Sequence, residues 1–578
     1  MTAPPDTTAW PPREAVTATH GPALLAWAAD TAPDRTRVCL IRGARGSGKS
    51  QLLAWFLAGA PSHPRTTAHA TVLSAGLFTD AFAWELGRQL GYGPLAPHRL
   101  LDRIAADARP LLLLVPDLHR AGRGPADLPA ARPRTIVDEL LVPLLQLPYV
   151  RAAVEVGESD LLGTWPGAES LTTGSTSHGP YETDAPSDEV PRASDGRPRW
   201  DLAPPRAAEH ALDQALLEPD PVQAVRTLIT DPAFLVHGSA VAIAATLADE
   251  RILTPRGLRE TWRQAAPQLS DTEHSLTQRA ALLHTAALGS SPNLAQYLRP
   301  LAEQHRFTAA WSRPDHPVTA LARTPDALLT AGPLGDLTLL DPTTGAHTGT
   351  QTAPTPVRPQ AIAVRQDGSA LHLADTGALH PVAGETGASA AVERIALHHG
   401  QAALKDPRLR PTALGQCPLT GTTVVGDEQG NAHVWGPDAA QSTPHSHALH
   451  ASPITAVTCL PPTPDAPDVL VFSAAMDGTV RLWATAADPL PEPVEQRPAF
   501  VTAMSAAHTP QGLVLAVAWT DARVHLWQVN TGRVHAIPLL TPCHALALTT
   551  TPTGDCHLVV AGPEGTYALR LNTTSLWT

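Results

Sequence analysis

Beyond Phe307 this chain of 578 residues repeats itself. Short apolar runs alternate with Gly, Asp and Pro turns, and several copies end alike. Gly430-Asn431-Ala432-His433-Val434-Trp435, Asp477-Gly478-Thr479-Val480-Arg481-Leu482-Trp483 and Asp521-Ala522-Arg523-Val524-His525-Leu526-Trp527 place three Trp at steps of 48 and 44 residues. Weaker endings fall near Leu340, Pro381 and Leu569, giving six copies at steps of 41–54 residues. A unit of this size cannot bury its apolar face alone, so copies must stack into a solenoid or a propeller. Residues 305–578 are therefore expected to form an all-β array. Phe307 to Trp311 precedes the first inner strand and can supply the outer strand missing after Leu571. Such closure removes free sheet edges. The 54-residue step between Pro381 and Trp435 is long enough to hide a degenerate strand, so six or seven blades are expected.

The fullest copy runs from His450 through Ile454-Thr455-Ala456-Val457 and Val471-Phe472-Ser473 to Asp477 and Trp483. It resembles a WD repeat. The resemblance implies that His450, Ser473, Asp477 and Trp483 share hydrogen bonds, a structural rather than catalytic role. Asp521 and Trp527 keep part of the set in another copy, and His316 stands alone near the start of a third.

A second feature constrains the N-terminal half. The chain holds two lysines, Lys49 and Lys405, and uses Arg elsewhere. Lys49 closes Gly43-Ala44-Arg45-Gly46-Ser47-Gly48-Lys49-Ser50. An ammonium is a compact point charge, whereas guanidinium is a wide planar fork, and the compact charge suits the space between nucleotide phosphates. Val38-Cys39-Leu40-Ile41 reads as a strand feeding the loop, and Gln51 to Ala58 as a helix stopped by Gly59 and Pro61. Strand, glycine loop and helix in this order predict a phosphate-binding loop over Gly43, Ala44, Arg45, Gly46, Ser47, Gly48, Lys49, Ser50 and Gln51. The glycines let amides turn inward, the helix start adds its positive dipole end, and the Ser50 hydroxyl can join a Mg²⁺ shell. Pro110-Leu111-Leu112-Leu113-Leu114-Val115-Pro116-Asp117 offers Asp117 at a strand end as the second metal residue. Lys49 and Asp117 are the candidate catalytic groups. Arg45 reads as a solvated loop charge.

Further apolar strands at 71–73, 111–115 and 150–156, with helical stretches between them, predict a parallel α/β sheet. Residues 1–205 are expected to form this nucleotide-binding domain, with a mobile insertion at about 163–199, rich in Thr, Ser, Gly and Pro. Trp200-Asp201-Leu202 reads as a last strand. Residues 206–304 read as a helical domain, followed by the propeller at 305–578.

Net charge of −13 supplies no footprint for a nucleic-acid backbone. No apolar run approaches the ~18 residues a membrane span needs, and the first thirty residues lack a secretory order, so a cytoplasmic protein is expected. Five scattered cysteines without a CxxC pair read as reduced, buried thiols.

Sheet, loop, helical domain and WD repeats together resemble the signal-transduction ATPases with numerous domains, an AAA-related and NACHT-like group found with propellers in actinomycetes. The resemblance implies ATP or ADP with Mg²⁺ as cofactors and a regulatory switch coupled to protein partners recognised by the propeller. It also implies a separate effector, since few residues precede Val38, and a nucleotide-dependent homo-oligomer. Many members carry further acids beside the metal residue, where this chain has Pro116 and Arg120-Ala121. Val150 to Gly157 ends without the Thr or Arg that often senses the γ-phosphate. Slow turnover is the expectation, a switch rather than a motor. His237 stands where some members read a diphosphate, but Gly238 follows it instead of an acid. The alternative is a propeller scaffold with a structural, non-cycling nucleotide. A small-molecule kinase would leave the repeats without a role.

Overall fold

A computed structural model describes residues 10–577 except 14, 33, 125–126, 164, 175–188, 205, 352–356, 384–388 and 552–553. By internal contacts the chain divides into two compact units. One holds Met1–Pro255 with Ser270–Thr272, the other Arg256–Leu269 with Glu273–Thr578.

The first unit is built on a five-stranded parallel sheet of order β2-β3-β4-β1-β5. Its strands are β1 Val38–Arg42, β2 Ala70–Thr71, β3 Leu111–Val115, β4 Val150–Gly157 and β5 Glu169–Thr172. Near-continuous apolar runs suit strands buried on both faces, and strand alternation sorts them. Val38, Leu40, Leu111, Leu113 and Val115 pack with Phe82, Leu86, Leu100 and Ile104 on one face. Cys39, Ile41, Leu112, Leu114 and Ala153 pack on the other, with Leu24, Leu25, Leu52 and Phe56. The helices supplying these residues are α1 Ala15–Ala29 and α2 Lys49–Gly59 on the second face, α3 Thr79–Gln89 and α4 Pro97–Asp107 on the first. The chain leaves β1 for the far edge and returns through β3 to β4. That path sets β4 between β3 and β1, so the C-terminal ends of all three lie side by side. Ligands of open α/β sheets sit outside such ends.

Two expectations here are corrected. The stretch read as an insertion from about 163 begins with a real strand, since Cys39 to Arg42 pair with Glu169 to Thr172. Residues 175–188 of that stretch lie outside the described residues. Trp200–Leu202 is a 3₁₀ turn, not a strand, anchored by its indole Nε1 donating to Asp231 at 2.9 Å and by a T-shaped contact with Phe234.

The helical stretch is shared between the units. Helices Ala207–Leu217, Pro221–Ile229, Pro232–His237 and Ala240–Leu247 lie in the first, and Leu258–Leu269, Leu276–Leu288 and Pro292–Ala302 in the second. Their starts are written locally. Asp220, Asp231, Ser239 and Ser275 each accept a hydrogen bond from an N–H of the first turn. Leu276–Leu288 packs on the strand Phe307–Arg313.

Six antiparallel sheets make the rest of the second unit a six-bladed β-propeller. Phe307–Arg313 pairs with Gly565–Leu571 and completes the last blade, the closure the repeat requires. The long 54-residue step holds no seventh blade among the described residues. The second blade has three strands, Pro359–Val364, Ala370–Ala374 and Leu379–Val382, and then a helix, Ala390–Lys405, in place of the fourth. Ala391, Val392 and Ile395 of this helix share a core with Leu371, Leu373 and Trp435. The helix thereby covers an edge that would otherwise offer unpaired backbone groups.

Candidate functional site

The glycine-rich loop leaves β1 on backbone that only glycine accepts without strain. Gly43, Gly46 and Gly48 have φ of +144°, +80° and +84°. Space is limiting as well, because a Cβ on Gly43 would lie 2.3 Å from Thr173 Oγ1 and one on Gly48 2.8 Å from Val16. The loop is thus held from both sides, by α1 and by the residue after β5. Ser47 is buried with its hydroxyl 2.6 Å from that of Thr173, which donates to the Arg42 carbonyl at 3.0 Å. Sequence reasoning missed Thr173 because its surroundings read as irregular. Arg45 and Gly46 form the exposed tip.

Helix α2 begins at Lys49 without a side-chain cap, so the positive end of its dipole faces the loop. Lys49 is buried, and its Nζ donates to the Ala44 carbonyl at 2.7 Å. Ser50 and Gln51 are exposed. A buried ammonium, an uncapped helix start and a glycine turn meet the requirements of an anionic ligand such as a phosphate.

Asp117 follows β3 in left-handed conformation, φ +55°. Its backbone N–H faces Glu155 Oε2 at 3.4 Å. Glu155 is the residue that unites the site and that sequence reasoning missed. It lies on β4, almost fully buried, with Oε1 3.8 Å from Lys49 Nζ and Oε2 accepting from the Ser50 hydroxyl at 3.3 Å. Burial first, and next the Asp117 carboxylate, push its carboxyl above the usual range, while Lys49 acts in the opposite direction. A signal was present in the strand. Arg151 and Glu155 fall on one face of an otherwise apolar run, the face that carries α1 and α2. Arg151 is accounted for by donation to the Trp27 and Ala28 carbonyls at the end of α1. Glu155 turns instead to the loop and the end of β3, towards Lys49, Ser50 and the Asp117 N–H.

His119, two residues beyond Asp117, completes the cluster. One ligand atom each from Asp117, His119 and Glu155 fall within 4.8 Å of one another. Two carboxylates, one of them accepting from the Ser50 hydroxyl, suit a hard divalent cation such as Mg²⁺, which takes oxygen ligands. Arg120 lies 3.5 Å from Asp117 but is largely exposed. His237 ends the helix Pro232–His237, beside the Trp200 turn.

The propeller carries a different polar arrangement. In the fourth blade His450 bonds Ser473 Oγ at 2.9 Å and Thr479 Oγ1 at 3.0 Å, and Asp477 accepts from the N–H and hydroxyl of Thr479. The expected four-residue set is corrected at one member: Trp483 donates to the Ala487 carbonyl, and Thr479 links His450 to Asp477 instead. His316 has a partner after all, Thr330, at 3.1 Å. Trp435 donates to His399 of the inserted helix, and Trp527 to Glu495.

At the start of the inner strands the propeller opens into a cavity of about 440 Å³. Pairing skips one residue at the same place in four consecutive blades: Gln360, Thr412, Thr455 and Thr502. These bulges, with Thr319 and His544 of the two remaining blades, line the cavity beside Arg358 and Asp375. Bulges re-aim side chains at sites of use.

No protein-family model matches the chain, and no curated protein matches it. Among solved structures, the computationally designed Ika8 protein is 18% identical over 44% of this chain and 70% of that one, with a TM-score of 0.27. The WD40 repeats of RRP9 are 12% identical over 46% of this chain and 98% of that one, with a TM-score of 0.30. The propeller rests on its own six sheets and their closure. Among the described residues no helix is long and apolar enough to cross a membrane.

Proposed function

We propose that the first unit binds ATP or ADP with a divalent cation at the glycine-rich loop, and that the bound nucleotide sets the state of a regulatory switch read out through the propeller. The observation that carries this reading is the convergence of Lys49, Ser50 and Asp117 on the buried Glu155 carboxylate. In this reading Lys49 holds the β- and γ-phosphates, Ser50 and Asp117 hold the cation, and the amides of Gly43 to Gln51 wrap the phosphates. The propeller recognises a protein partner through the cavity ringed by Thr319, Thr412, Thr455 and Thr502. For a partner to drive the switch it must bind one state better than the other, by about 5.5 kcal/mol for a swing from 1:99 to 99:1.

Release and identification of nucleotide from the purified full chain tests the site. ADP or ATP is expected in the wild type and none in Lys49→Ala; nucleotide retained by Lys49→Ala would overturn the assignment. A change in assembly size between ADP and a non-hydrolysable ATP analogue, measured by light scattering, is expected of a switch. A second reading, a propeller scaffold with a structural nucleotide that never cycles, is favoured by Pro116 and Arg120 flanking Asp117 where further acids would speed turnover. Equal size in both nucleotides supports it.

A further inference from the structure

Residues on two neighbouring strands bring a nitrogen donor to a site otherwise made of oxygens. Parallel pairing sets Val115 of β3 against Val154 of β4, so the residues just past each partner emerge together. Asp117 and His119 come from the end of β3 and Glu155 from β4, with their ligand atoms within 4.8 Å. The imidazole is placed there by backbone geometry. Gly157 has φ +60°, and a Cβ on it would lie 2.8 Å from the His119 ring. A side chain at 157 would press on that ring. His119 Nδ1 is sealed from solvent and has no hydrogen-bond partner among the described residues. An unpartnered buried nitrogen costs free energy unless something binds it. Glu155 turns its carboxylate to the same place, with Oε1 3.8 Å from Lys49 Nζ and Oε2 accepting from the Ser50 hydroxyl and facing the Asp117 N–H.

We propose that Asp117, His119 and Glu155 are three protein ligands of one divalent ion, and that the imidazole makes the site prefer a first-row transition ion such as Mn²⁺ over Mg²⁺. Mg²⁺ demands octahedral oxygen coordination and dehydrates reluctantly, so it gains little from a nitrogen donor. Imidazole suits Fe²⁺, Ni²⁺, Cu²⁺ and Zn²⁺ best, and Mn²⁺, the weakest binder of that series, is the stringent case because it also takes carboxylates. Metal binding also accounts for the company of Asp117 and Glu155, because a cation between two carboxylates removes the repulsion that either would feel alone.

This inference deepens the proposed nucleotide site and rests on the same loop and strand ends, but its test needs no nucleotide. Nucleotide-free full chain is titrated with Mn²⁺, and the free ion is followed by electron paramagnetic resonance. One ion per chain is expected, held at least tenfold more tightly than Mg²⁺ in competition. His119→Ala should lose that preference, and Glu155→Gln should weaken Mn²⁺ binding at least tenfold, both with unchanged far-ultraviolet circular dichroism. A measurement on the wild type alone guards against misfolded variants: electron spin-echo modulation of the bound Mn²⁺ should show coupling to an imidazole nitrogen. Absence of that coupling, binding indifferent to His119→Ala, or Mg²⁺ competing equally would overturn the proposal. Mn²⁺ binding by a wild type that neither co-purifies with nucleotide nor takes up added ADP or ATP would sink the proposed function and leave the metal site standing. Nucleotide binding without the nitrogen coupling would do the reverse.

Discussion

The fourth blade and the strand-end site both bury charged or titratable side chains, yet they dispose of them in opposite ways. In the blade, both ring nitrogens of His450 have partners, Asp477 accepts twice from Thr479, and Gly478 alone turns the backbone left-handed there. At the ends of β1, β3 and β4, Gly43, Gly46, Gly48, Asp117 and Gly157 all have positive φ. Lys49 and Glu155 are buried 3.8 Å apart, and a nitrogen of His119 is left unpartnered. Polar burial alone does not mark a site, because a closed network is architecture. Charged groups gathered at strand ends on glycine-dependent backbone, with a buried ring nitrogen left unpartnered beside them, mark one.

The largest test of this contrast removes the charge at the open site. Lys49→Ala should lower nucleotide affinity by about 100-fold or more, since a charge-assisted contact to phosphate is lost in a buried setting. Calorimetric titration with ADP measures it. The thermal transition of the propeller should not move, because Lys49 serves no packing role there. A shifted propeller transition would mean that the loop is architecture too.

The converse substitution belongs in the blade. His450→Ala strands Ser473 and removes the link to Thr479, and should destabilise the propeller by about 2–3 kcal/mol. Denaturant melts followed by tryptophan fluorescence report it, with ADP affinity unchanged. A loss below about 0.5 kcal/mol would show that the network is dispensable.

Acid should act on the propeller as well. His399 accepts from the Trp435 indole, so its Nε2 must be unprotonated. Burial, with His433 and His398 adding to it, lowers its pKa to about 3. In the unfolded chain a His titrates near 6.5, so below that pH the unfolded state binds the proton first. Stability from this residue is complete above about pH 6.5 and falls as the pH drops towards 3, by about 2 kcal/mol at pH 5. Melts at pH 7 and 5 should show the slope, and His399→Asn should reduce it by about 2 kcal/mol, the rest coming from other buried histidines such as His372, whose pKa burial lowers to about 4. An equal slope in the variant would place the titrating group elsewhere.

What was legible in the sequence was local or periodic. The loop from β1 into α2 is written in consecutive residues, and α2 starts at Lys49 and stops at Gly59 as Gly and Pro demand. Closure by Phe307 to Trp311 followed from counting strands in a repeat. What was hidden depended on distant partners. Glu155 acquires meaning only when β4 lies between β1 and β3, setting it beside Ser50 from 105 residues away. β5 is a strand because β1 offers it an edge, whatever its Thr-rich and Ser-rich surroundings suggest. The helix Ala390–Lys405 stands in the long step that the repeat suggested could hide a strand. The Trp spacing was read correctly, while the indole partners had changed from blade to blade.

The smallest expected effect falls on a residue at the margin between the two kinds of polar arrangement. Arg120 lies 3.5 Å from Asp117 with its side chain 63% exposed, an ion pair in high dielectric. Such pairs contribute about 0–1 kcal/mol, so Arg120→Ala should leave stability within about 0.5 kcal/mol of wild type. If Asp117 belongs to an open site, however, Arg120 competes with a cation for the same carboxylate. Its removal should then tighten divalent-ion binding by a few-fold, an effect that grows at low salt, where the competing charge is least screened. Unchanged stability with tighter ion binding assigns Asp117 to the site. Unchanged ion binding at low salt would make Asp117 an ordinary turn residue, satisfied by its own surroundings in the manner of Asp477.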